Sequence, residues 1–172
     1  MASSELEWSH YPKNAPCPWQ LTQIIDCFRR SEQRIASSNH KLQSNEVLSE
    51  LAPSLEELGF KVERSKQEKD KIRVPVLFGR NGLPTKTFEA DAYRPDEGVV
   101  LEVEAGRAYA NNQFLKDLFQ VSVMQGVHYA AIAVRRNYRD SPDFERVVSF
   151  VDTLYASDRL HVPLTGLLII GY

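Results

Sequence analysis

Phe88-Glu89-Ala90-Asp91-Ala92-Tyr93-Arg94-Pro95-Asp96-Glu97-Gly98-Val99-Val100-Leu101-Glu102-Val103-Glu104 is the stretch on which the fold turns. Its two flanks alternate apolar with charged residues, and Pro95-Asp96-Glu97-Gly98 between them has the composition of a turn. A hairpin closed by that loop pairs Arg94 with Val99. Counting back sets Asp91 opposite Glu102 and Glu89 opposite Glu104, with partners about 5 Å apart at Cβ. Successive strand side chains point to opposite faces, so Glu89, Asp91, Glu102 and Glu104 share one face, while Phe88, Ala90, Ala92, Leu101, Val103 and Ala105 take the other. A slip of one residue would bury the acids, so the apolar pattern fixes the register. Like charges facing each other across a ladder repel, and the acidic face contains no lysine or arginine to offset them. Two readings follow: a divalent cation held among the carboxylates, or a solvated acidic face.

Working upstream, residues 60–64 and 72–78 read as strands joined by the charged turn Gln67-Glu68-Lys69-Asp70, with Pro75 marking an edge or a bulge. Arg80-Asn81-Gly82-Leu83 is a hairpin turn of the Asn-Gly type, followed by a strand over 85–93. Val47, Leu48, Leu51, Leu55 and Leu58 line one face of a helix with Ser44 as N-cap and Gly59 as its stop, bent or restarted at Pro53. Leu21, Ile24, Ile25, Phe28 and Ile35 mark an amphipathic helix over about 19–37. Residues 1–18, with Pro12, Pro16 and Pro18, read as an irregular leader. Downstream, the spacing predicts a helix over 110–124, a buried strand at 129–134, a helix begun near Ser141-Pro142-Asp143 and a buried strand at 166–171. The predicted order is α-α-β-β-β-β-α-β-α-β, an α/β domain with a central mixed sheet flanked by helices.

The 172 residues fit one domain, and an apolar share of 42% suffices for a core. Two cysteines, Cys17 and Cys27, without a Cys/His cluster argue against a disulfide framework and structural zinc, and suit a reducing, cytoplasmic setting. No apolar run approaches the roughly 18 residues that span a membrane. The net charge of −2 gives no global basic field for nucleic acid.

The carboxylates carry the chemistry. Mg²⁺ or Mn²⁺ takes oxygen ligands from one or two carboxylates, a backbone carbonyl and waters, leaving positions open for a substrate phosphate. The order of residues resembles the PD-(D/E)xK nuclease superfamily, and in particular its restriction-endonuclease-like members. There an Asp ends one strand, an acid-x-Lys triplet occupies the next, and an earlier helix often supplies a Glu. Asp91 falls on the Asp position, Glu102-Val103-Glu104 on the triplet, and the helix over 44–58 on the earlier helix; the resemblance covers about residues 44–135.

That resemblance implies a restriction-endonuclease-like sheet and a metal-dependent nuclease, with DNA as the expected polymer; the sequence names no oligomeric state, although a homodimer would suit cutting both strands of a duplex. It assigns Asp91, Glu102 and the Val103 carbonyl to Mg²⁺ or Mn²⁺, and Glu104 to a catalytic water. Glu46 is the favoured helical acid, with Glu50 one turn away. Glu104 stands where the family usually has Lys, although a Glu-x-Glu triplet also occurs there, and Lys116 is a candidate replacement charge. Arg107, Asn111 and Asn112, next to a predicted helix N-terminus, are candidates for substrate phosphate. The alternative is a nuclease-like fold without activity that serves as a binding or interaction module.

Overall fold

Branched and small apolar residues at Val99–Glu104 (β6), Tyr129–Val134 (β7) and Gly166–Gly171 (β8) form a parallel core of three strands buried on both sides. The computed structural model describes residues 5–172. Helices Gln113–Val123 (α3) and Asp143–Ser157 (α4) are the crossovers β6-α3-β7 and β7-α4-β8. Both cover one face of the sheet, where Phe114, Leu118, Val121, Phe144, Val147 and Val151 meet Val100, Ile132 and Ile169. Helices Trp19–Ile35 (α1) and Ser44–Glu57 (α2) cover the other, against Leu101, Val103, Ala133 and Ile170. The result is a mixed sheet between two helical layers. Among the described residues no helix is long and apolar enough to cross a membrane, and both cysteines are free.

The sheet is completed by Glu7–Tyr11 (β1), Lys61–Val62 (β2) and Ala92–Arg94 (β5), giving the order β1-β8-β7-β6-β5-β2. β1 corrects the expectation of an irregular leader over 1–18, of which residues 1–4 lie outside the described residues. It pairs antiparallel with β8 through Glu7↔Gly171 to Tyr11↔Leu167. Its sequence, Glu-Trp-Ser-His-Tyr, has no apolar alternation because an edge strand buries little; Tyr11 alone is fully enclosed, its hydroxyl donating to Asp152 Oδ1 at 2.7 Å.

α2 runs unbroken through Pro53, and its N-cap is Gln43 rather than Ser44, with Glu46 completing a reciprocal capping box. It stops as the sequence predicts. Gly59 takes φ +91°, Gly59 N–H donates to Glu56 C=O at 2.9 Å and Phe60 N–H to Leu55 C=O at 3.1 Å, which is a Schellman motif.

The expected strand over 85–93 is two strands in two sheets. Pro84–Ala90 (β4) pairs with Ile72–Phe78 (β3) in a separate two-stranded ribbon, turned by Asn81 and Gly82 at positive φ, whereas β5 pairs with β6 and β2. The division falls at Asp91. Ala90 and Ala92 would share a face of one straight strand, yet Ala90 packs with Val74 and Val100 on the α3–α4 side and Ala92 with the α1–α2 side.

Candidate active site

The β5–β6 hairpin keeps the predicted register from Arg94↔Val99 to Ala92↔Leu101 and then stops. Beyond that point the Asp91 side chain replaces the strand partner: its Oδ2 accepts from Val103 N–H at 2.8 Å, and its backbone carbonyl accepts from Glu63 N–H at 2.8 Å. Asp91 is thus fixed at a bend and directed onto β6, where Glu102 and Glu104 alternate with Leu101 and Val103. Glu102 is only 7% exposed and faces the α3–α4 layer.

α3 brings one polar face to the same place. Gln113, Lys116, Asp117 and Gln120 recur at i, i+3, i+4 and i+7 and line a cleft of about 370 Å³ together with Asp91, Glu102, Val103 and Glu104. Asp117 is 3% exposed; its Oδ1 accepts from Gln113 Nε2 at 3.1 Å. Two carboxylate oxygens, Glu102 Oε1 and Asp117 Oδ2, are buried without a hydrogen-bond partner. Orphaned buried polar atoms are rare because each retains its desolvation penalty. Glu104 is hydrogen-bonded to Asp117, so this wall is a cluster of buried carboxyls that share protons.

Burial dominates the electrostatics. It raises Asp91 from 3.8 to about 6, against the pull of the Val103 N–H and Lys66. Glu102 is pushed well above the usual carboxylate range by burial, then by Asp91 and Asp117. Glu104 is raised to about 9 by burial and by the adjacent Asp117, which is itself raised by burial. At neutral pH Asp91 is mostly ionised, whereas Glu104 keeps its proton in the absence of a cation, and Glu102 holds its proton to a higher pH than an ordinary carboxyl does.

No protein-family model matches this chain, and no curated protein does either.

The rim of the cleft differs from the acidic face that the sequence suggests. Glu89 pairs with Arg73 across the β3–β4 ribbon and not with Glu104, because the strand breaks at Asp91. Lys71 bonds Glu89 Oε2 at 2.8 Å and Glu63 Oε2 at 3.3 Å, and Lys66 bonds Glu63 Oε1 at 3.0 Å. The hydrogen bond from Lys71 lowers the pKa of Glu89, which belongs to an ion-pair network rather than to the inner acids. The cations missing from the hairpin itself thus come from the segment between β2 and β3, and Lys116 adds one from α3.

The helical acids lie elsewhere. Glu46 does not line the cleft: its Oε2 accepts from Gln43 N–H at 2.7 Å, as its own helix requires, and Glu50 accepts from Arg34 at 2.6 Å. The helix that does contribute an acid to the cleft is α3, through Asp117. The sequence carried a signal for it in the Gln-x-x-Lys-Asp-x-x-Gln spacing of a helix that directly follows the triplet. Arg107, Asn111 and Asn112 also lie outside the cleft lining. Gly106 backs onto the Tyr138 ring and Arg107 adopts φ +60°, so the chain turns before α3, which starts at Gln113 instead of 110. Asn112 occupies the N-cap without a side-chain capping bond, and its carbonyl accepts from Leu115 N–H at 3.0 Å.

Among the described residues no three His, Cys, Asp or Glu side chains are already grouped in ion-holding geometry. The donor set nevertheless suits a hard cation. It is all oxygen, it is desolvated, and two of its oxygens lack donors. Binding would draw these carboxyls together and displace their protons.

Proposed function

We propose that this chain is a Mg²⁺- or Mn²⁺-dependent phosphodiesterase that cuts nucleic acid, with DNA as the expected polymer and a restriction-endonuclease-like sheet as its frame. The observation that carries the reading is the burial of the Glu102 and Asp117 carboxyls beside Asp91 and Glu104 in one cleft. The element order around them, hairpin then helix then strand, agrees with the PD-(D/E)xK resemblance.

Asp91 and Glu102, with the Val103 carbonyl, would hold the cation, and Asp117 joins them as a further acid. When bound, the cation supplies Lewis-acid activation of water and neutralises charge growing on the phosphate. Asp91 supplies permanent negative charge above about pH 6, held in place by the Val103 N–H. Glu104, half-buried at the end of β6, would orient the attacking water and take its proton once a bound cation has displaced the proton that Glu104 itself carries. Lys116, which lines the cleft from the exposed side of α3, would meet a phosphate oxygen, standing in for the lysine that the triplet lacks. A homodimer would bring two such clefts to opposite strands.

Metal-dependent cleavage of duplex DNA, with Asp91→Ala as control, tests this directly; equal activity in the two proteins ends it. The net charge of −2 and Glu104 in the position of the usual lysine favour a second reading, a nuclease-like fold acting only as a binding module. Calorimetric titration with Mn²⁺ separates the two. Binding that disappears in Asp91→Asn supports the enzyme, and no binding in either protein supports the module.

A further inference from the structure

The ribbon β3–β4 forms a sheet separate from the main one, and its outer half serves no part of the site chemistry described above. Its root is anchored: Val74 is fully buried with Ala90 in the α3–α4 core, and Pro75 C=O accepts from Gln125 N–H at 2.8 Å. Its outer half is not. Every residue from 77 to 86 is exposed, including Leu77 at 59%, Phe78 at 50% and Leu83 at 65%.

Charge on the ribbon opposes that of the chain. Residues 72–90 contain Arg73, Arg80 and Lys86 against one acid, Glu89 at the base, within a protein of net charge −2. Arg73 is paired with Glu68 and Glu89, but neither Arg80 nor Lys86 enters an ion pair among the described residues; Lys86 lies over the Phe88 ring at 5.1 Å. The base of the ribbon is also the cleft, since Thr87, Phe88, Glu89 and Ala90 line it. From Phe88 to the turn at Asn81 is about 20 Å of strand. An object seated at the cleft by a phosphate therefore lies within reach of the tip.

We propose that the outer half of the β3–β4 ribbon is an arm that grips a nucleic-acid duplex beside the cleft, with Arg80 and Lys86 on phosphates and Phe78 and its apolar neighbours against the bases. A two-stranded ribbon fits a duplex groove, and apolar wedges at a tip can enter between base steps. The complementary charge selects a polyanion as the occupant. The inference rests on the proposed function for the identity of its ligand, but it concerns binding and does not require cleavage.

The test is anisotropy of a labelled duplex of about two helical turns, titrated without divalent metal over a range of salt concentrations. Arg80→Ala/Lys86→Ala is expected to lower the salt slope of log K by about 2. Phe78→Ser is expected to weaken binding about tenfold at fixed salt. Both substitutions lie on exposed residues, and unchanged melting curves verify the fold. Affinity and salt slope equal to wild type in both variants overturn the arm, as does a wild type that ignores duplex altogether. A Phe78→Ser effect seen only as a change of oligomeric state in size-exclusion chromatography also overturns it, in favour of a protein interface. Mn²⁺ calorimetry on the wild type is read separately: loss of metal binding with the ribbon effect intact rejects the phosphodiesterase and keeps the arm.

Discussion

Replacing Asp91 by Asn should make the metal-free protein more stable at neutral pH. Burial raises the Asp91 carboxyl from 3.8 to about 6, so the folded state holds its proton over a range where the unfolded chain has released it. The sign follows from that difference. The Asp91 contribution is fully present below about pH 4, falls as pH rises through 6 and is constant above. A shift of about two units corresponds to about 3 kcal/mol. Asparagine keeps an oxygen for the Val103 N–H, which Asp91 Oδ2 now meets at 2.8 Å, while removing the buried charge and its repulsion of Glu102. In the presence of chelator, Asp91→Asn should exceed wild type at about pH 7.5 by up to about 3 kcal/mol, or about 6–12 °C in Tm, and match it near pH 4. Urea denaturation at both pH values measures this. A variant less stable than wild type at pH 7.5, or a difference that ignores pH, would refute the view that the cleft is an electrostatic liability in the absence of a cation. Under the proposed function, Mn²⁺ then reverses the order, because only the wild type gains from it.

Other outcomes can be measured separately. Mn²⁺ binding at neutral pH should release at least one proton, since Glu104 is held up to about 9 and Glu102 well above its ordinary range; calorimetry in buffers of different ionisation enthalpy reads that number. Lys71→Met should cost about 2 kcal/mol or more in urea denaturation, because Glu63 is buried and keeps only the exposed Lys66 as a partner. Gly98→Ala should cost about 2 kcal/mol or more by the same measurement, since Gly98 has φ +63° and an added Cβ would stand 2.3 Å from Gly126 C=O. Glu46→Gln should lower stability by under about 1 kcal/mol and leave any cleavage activity intact, because its contact is the cap of α2.

The sequence makes legible whatever depends on local period and composition. Residues 129–134 and 166–171 are continuous apolar runs and form strands with those bounds, and the 94/99 pairing follows from a turn with glycine where φ is positive. What escapes is what tertiary contacts decide. β1 hides because an edge strand with one enclosed tyrosine needs no apolar alternation. Asp91 looks like the middle of a strand because its neighbours alternate correctly; only the attachment of Glu63 to its carbonyl and of β3 to its predecessors shows that the chain changes sheet there. Asp117 is legible only once α3 is known to present its polar face to β6, and Glu46 misleads because capping and catalysis use the same side chain.

The break at Asp91 is also what joins the two halves of the proposal. An unbroken strand over 85–93 would continue the ladder, set Glu89 opposite Glu104 and leave the ribbon no separate direction. With the bend, β4 leaves the main sheet to form the ribbon, and the Val103 N–H freed by the interrupted ladder becomes the donor that fixes the Asp91 carboxylate. The same residue therefore ends the ribbon, caps the ladder and begins the acidic wall. A substitution that lets residue 91 re-enter a continuous strand, such as Asp91→Val, should thus disturb more than charge. It removes the buried charge as Asp91→Asn does, but also the acceptor for Val103 N–H, so it should be less stable than Asp91→Asn by about 1–3 kcal/mol at every pH. A gap between these two variants that does not change with pH would separate the geometric role of this side chain from its electrostatic one.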